Sequence, residues 1–77
     1  MAEKLQDETT LSREAAAERL EHLAGELREG SGNFRVGNKT VELSPAEELS
    51  YEISVEERKS LLRSNRETVT VTLNWKP

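Results

Sequence analysis

Apolar and polar positions change their period along this chain, and the changes mark its elements. From Ser12 to Glu29, residues Ala16, Leu20, Leu23, Ala24 and Leu27 recur at spacings of four, three, one and three, the stripe of a 3.6-residue helix. Ser12 suits the N-cap, because its hydroxyl can accept from a first-turn amide. Glu14 and Arg28 sit where the helix dipole favours a negative and then a positive charge. Gly30 follows as the residue that takes the left-handed conformation without steric cost. A helix over 12–29 is therefore expected.

After Gly30-Ser31-Gly32 the period falls to two. Asn33–Val36 and Lys39–Leu43 flank Gly37-Asn38, a pair suited to a two-residue hairpin turn. Closing that turn places Phe34 opposite Val41 and Arg35 opposite Thr40, so turn chemistry and apolar pattern select one register over 33–43. Ser44-Pro45-Ala46-Glu47 reads both as a turn and as a capping box with Pro at the first helical position. Alternation resumes at once with Leu49, Tyr51, Ile53 and Val55, so at most one helical turn is expected at Pro45. A long strand is expected over 48–56. A second follows over 67–75, where Val69, Val71, Leu73 and Trp75 alternate with Thr68, Thr70, Thr72 and Asn74. Residues 57–66 join the two, too long for a tight hairpin. The polar lead-in, 1–10, reads as an edge strand over Lys4–Thr9 or as a tail.

These elements add up to an α+β fold: one amphipathic helix packed on an antiparallel sheet of four or five strands, in two layers. Its core would join Leu20, Leu23 and Leu27 to Ile53, Val71, Leu73 and Trp75. Seventy-seven residues allow a single domain, 1–77, with a marginal core. Cys is absent, so neither a disulfide nor a thiolate metal site can reinforce it. A homodimer is one way to complete so small a core.

Eleven Lys and Arg against fifteen Asp and Glu give a net charge of −4, the wrong field for a general nucleic-acid or anionic-membrane binder. No apolar run is long enough to span a bilayer. The first thirty residues carry no basic-then-apolar leader, so a cytoplasmic protein is expected.

The order of segments resembles a known family. LSREAAAERLEHLAGELREG, then FRVGNKTVELSP, then alternating strands ending in VTVTLNWK, is similar to the Amphi-Trp domain family of small prokaryotic proteins. The parts that carry the resemblance are Leu11-Ser12-Arg13-Glu14, the helix end at residues 23–30, and Trp75. It implies a fold with an amphipathic final strand closing on a Trp, and it brings no activity with it. Two features depart from the pattern. Members from salt-adapted organisms are rich in Asp, whereas this chain has fourteen Glu and one Asp. Residues 58–66 are also more basic and more apolar than the usual acidic connection.

That connection supplies the candidate sites. Arg58, Lys59, Arg63 and Arg66 put four positive charges and no negative one into nine residues. They could contact a phosphate, an RNA backbone or an acidic protein surface. The plainer reading is a solvated connection with Glu56, Glu57 and Glu67 as counter-charges. Leu61 and Leu62 either pack one side chain on the sheet edge from a short helical turn or stay exposed as an interface. Trp75 could stack a planar ligand, but its phase with Val69, Val71 and Leu73 favours packing. His22 would need a second ligand or acid on its face; only Glu18 and Glu26 lie one turn away, a spacing that ordinarily just supports a helix.

No Gly-rich phosphate loop, H-E-x-x-H or G-x-S-x-G occurs, and nothing points to a cofactor or small-molecule ligand. Asn38-Lys39-Thr40 is a formal glycosylation sequon that here marks only an exposed turn. The expectation is a non-enzymatic interaction or structural module whose partner is a protein or a second copy. Weak nucleic-acid or phospho-partner binding through 58–66 is the alternative.

Overall fold

The structure, a computed structural model, describes residues 4–62 and 64–77. Helix α1 spans Arg13–Glu29, and four strands follow: β1 Asn33–Val36, β2 Lys39–Glu42, β3 Ser50–Arg58 and β4 Arg66–Asn74. The chain divides into two compact units, residues 1–45 with Pro77, and residues 46–76.

In the first unit both ends of α1 are closed by the residues the sequence supplies. The Ser12 hydroxyl accepts from the Ala15 amide at 3.1 Å, and the Ser12 carbonyl accepts from the Ala16 amide. Gly30 turns left-handed at φ 73° and its N–H donates to the Glu26 carbonyl. β1 and β2 form an antiparallel hairpin with Phe34 opposite Val41 and Arg35 opposite Thr40. Gly37 has φ 63° while no described non-glycine residue is positive, the sign pattern of a type II′ turn with Gly at its first central position.

Phe34 holds this unit together: at 6% exposure it is the one buried large apolar side chain among the described residues. The helix packs against β1, and the Arg35 amide donates to the Glu26 carboxylate at 3.2 Å, tying strand to helix. A second tie closes the base of the hairpin. Gly32, itself buried with φ 89°, accepts from the Leu43 amide at 2.6 Å. A β-carbon on Gly32 would run into the Leu43 carbonyl, so only glycine fits.

Strands of four residues are about 13 Å long and a helix of seventeen about 26 Å, so the hairpin cannot cover the whole helical stripe. Ala16 and Leu27 are half-buried, whereas Leu20 remains 63% exposed. The lead-in forms no strand from Lys4 to Thr10. Lys4 and Leu5 instead line a depression with Val36, Val41 and Leu43, and the Asp7 carboxylate stands beside Gly37. Residues 43–49 are irregular, with bends at Glu47 and Glu48, and no helical turn forms at Pro45.

The second unit is a ribbon. β3 and β4 pair antiparallel along their whole length, from Ser50 opposite Asn74 to Arg58 opposite Arg66. The fold is thus α+β, with one helix and four strands, but the strands make two separate two-stranded sheets and not one sheet of four or five. Alternation identifies a strand and its two faces; it carries no information about which strand lies alongside. Of the residues expected in a shared core, Ile53, Val71, Leu20 and Leu23 are exposed. Leu73 and Trp75 are half-buried.

Three substitutions test the first unit. Gly32→Ala should lower stability by about 1–3 kcal/mol in urea titration, through backbone strain and the clash with Leu43. Gly25→Ala, in the helix with open space around it, should raise it by about 0.8–1.0 kcal/mol. Phe34→Ala should cost about 3–5 kcal/mol, enough to unfold the hairpin, and the loss should show as a collapsed β-sheet signal in circular dichroism.

Candidate functional site: the β3–β4 ribbon

A strand turns successive side chains to opposite faces, so the register of the ribbon sorts its residues into two sets. One face carries Tyr51 opposite Leu73, Ile53 opposite Val71 and Val55 opposite Val69. It ends at Glu57 opposite Glu67, where paired like charges stop the apolar run. The other face carries Ser50, Glu52, Ser54 and Glu56 opposite Asn74, Thr72, Thr70 and Thr68. Tyr51, Ile53, Val55, Val69 and Val71 are all exposed, Val55 at 68%, and Leu73 is half-buried. Six apolar side chains thus share one uncharged face of the ribbon, five of them exposed.

The basic residues named from the sequence gather at the far tip. β3 runs on through Arg58 and β4 begins at Arg66, so the connection proper is 59–65. Arg58 and Arg66 come to lie directly opposite each other on the polar face. Like charges so placed repel, and Glu56 offsets this in part with an exposed ion pair to Arg58, Oε1 to Nη2 at 3.4 Å. Lys59 is exposed beside them. Arg63 lies outside the described residues. The turn is shaped by polar side chains: Asn65 Oδ1 accepts from the Ser60 amide at 3.1 Å, and Ser60 Oγ accepts from the Leu62 amide at 3.3 Å.

Of the two readings of Leu61 and Leu62, packed on the sheet edge or exposed, the structure has the exposed one. Both are fully exposed, at 104% and 95%, and no helical turn forms around them. β3 extends through Arg58, so both leucines lie past the paired end of the ribbon.

Elsewhere the candidate chemistry stays dispersed. His22 is exposed on α1. Arg19, His22, Arg35 and Gly37 line a depression of about 300 Å³ beside the hairpin, and the Arg35 Nε–H is already directed to the Gly37 carbonyl. Among the described residues no group of three His, Cys, Asp or Glu side chains is placed to hold a metal ion, and no helix is long and apolar enough to cross a membrane.

The exposed ribbon face went unrecognised in the sequence because its alternation is the same whether a layer covers it or water does. Together with a capped helix and a short hairpin, it defines a class: a small α+β protein presenting an amphipathic antiparallel ribbon. The chain belongs to the Amphi-Trp domain family, whose model matches residues 1–77. No curated protein and no solved structure matches it.

The facing arginines give a test of the tip. Arg66→Glu should exchange repulsion for attraction and raise the melting temperature, by about 0.2–1 kcal/mol of stability at low salt. The gain should shrink in concentrated salt, where exposed charges are screened.

Proposed function

We propose that this protein is a non-enzymatic interaction module of the prokaryotic cytoplasm, and that the apolar face of the β3–β4 ribbon is its working surface. One observation carries the reading: Tyr51, Ile53, Val55, Val69 and Val71 stand exposed on one face, in register and without an intervening charge. Interface centres are depleted in charge and rich in such side chains, with charged groups at the rim, where Glu57 and Glu67 lie here. The partner this face fits is a protein with an apolar face of its own.

The chain has no Cys, so an introduced thiol is a clean probe. Ile53→Cys, diluted to single chains of unchanged circular dichroism, should react with a thiol reagent at about the rate of a Thr70→Cys control on the opposite face. Slow labelling at position 53 in the single chain would mean that the chain covers this face itself, and the reading would fall.

A second reading draws support from Arg58 and Arg66 facing each other at the tip, with Lys59 beside them. Paired guanidinium groups could hold a phosphate group of a nucleic acid or a modified protein. Arg58→Gln with Arg66→Gln should then weaken binding to a single-stranded RNA and flatten its dependence on salt. Binding that is the same with and without both arginines would remove this reading.

A further inference from the structure

We propose that the depression between α1 and the β1–β2 hairpin binds a phosphate group, carried by a small molecule or as the free ion. The residues that build it, Arg19, His22, Arg35 and Gly37, all belong to the first unit. Their arrangement is therefore set by the helix and the hairpin alone, and the inference stands apart from the ribbon.

The first observation is the lining. Arg19 and His22 lie three residues apart on α1, on one side of the helix. Arg35 comes from β1 and Gly37 from the turn that follows it. Among the described residues no carboxylate lines the depression, although the chain has fifteen acidic residues against eleven basic ones. Cations gathered without acids in an acidic protein make a local field that favours an anion.

The second is that these cations are not already paired. Among the described residues the one ion pair joins Arg58 to Glu56, so neither Arg19 nor Arg35 has a carboxylate on its guanidinium. The Glu26 carboxylate, one helical turn beyond His22, is taken up by the Arg35 amide at 3.2 Å. That bond holds β1 against α1 and so fixes Arg35 relative to Arg19 and His22. The Arg35 Nε–H donates to the Gly37 carbonyl at 3.3 Å, which orients the guanidinium. Both of its Nη groups are left without a partner among the described residues. A fork anchored in this way loses less freedom on gripping an oxyanion than a loose one.

The third is shape. Two guanidinium groups and an imidazole converge from two elements, which suits a tetrahedral group offering an oxygen to each. A carboxylate is flat and is satisfied by a single guanidinium fork. A depression of about 300 Å³ lies at the lower end of ligand pockets, enough for a phosphate and a few further atoms but not for a nucleic-acid chain. The Asp7 carboxylate beside Gly37 is the one feature that opposes an anion there.

Inorganic phosphate and glycerol phosphate, titrated into the full chain at physiological ionic strength, should saturably shift the His22 ring and the Arg19 and Arg35 guanidinium resonances in NMR spectra. Acetate should not. This measurement needs no substitution and stands even where a variant fails to fold. Arg19→Gln, at an exposed helix position, should keep the circular dichroism spectrum and raise the dissociation constant for phosphate about tenfold. Asp7→Asn should lower it, by removing a like charge. Arg58→Gln with Arg66→Gln should leave it unchanged. A response to glycerol phosphate as strong as that to inorganic phosphate assigns a phosphorylated small molecule, and a response to inorganic phosphate alone assigns the free ion. No saturable shift with either, an equal shift with acetate, or phosphate binding lost with Arg58 and Arg66 but kept without Arg19 would overturn the inference.

Discussion

An antiparallel ribbon of two nine-residue strands cannot be apolar on one face and stand alone. Its backbone groups along the pairing side are satisfied, but its side chains gain nothing until water is removed from them. Every other feature of the β3–β4 unit follows from how that face is organised. Strict alternation gathers Tyr51, Ile53, Val55, Val69, Val71 and Leu73 on one side, and the Thr and Ser residues opposite keep the other side wet. The absence of Gly and Pro from Ser50 to Asn74 keeps the ribbon unbroken. Because the pairing register is continuous, the ends are defined as sharply as the middle, with Glu57 facing Glu67 and Arg58 facing Arg66.

The first unit solves the same shortage differently. Phe34 supplies one large buried ring, and backbone geometry does the rest. The Ser12 cap, the Gly30 reversal, the Gly32–Leu43 hydrogen bond and the Arg35–Glu26 hydrogen bond each fix a chain direction. Such devices orient a hairpin against a helix without much apolar area, which suits strands of only four residues. They also leave the Leu20 side of the helix uncovered.

The apolar face of the ribbon is made by alternation alone, and charged residues gather at its far end, where Glu57 faces Glu67 and Arg58 faces Arg66. Leu61 and Leu62, exposed at that end, add a separate apolar point, while the arginines add a polar one.

Local structure was legible in the residues, because local structure depends on near neighbours. The helix stripe, the Ser12 and Gly30 caps, the Gly37-Asn38 turn and the Phe34–Val41 register are all interactions across a few positions. The two faces of the long strands are likewise a property of period alone. Tertiary structure decided the rest: that β1–β2 and β3–β4 form separate sheets, that Gly32 must admit the Leu43 carbonyl, that Arg58 and Arg66 meet across the ribbon, and that Leu61 and Leu62 project from its end. Each of these depends on groups brought together from distant positions or on a face being covered. Period tells a residue which way to point; only packing determines whether anything is there to meet it.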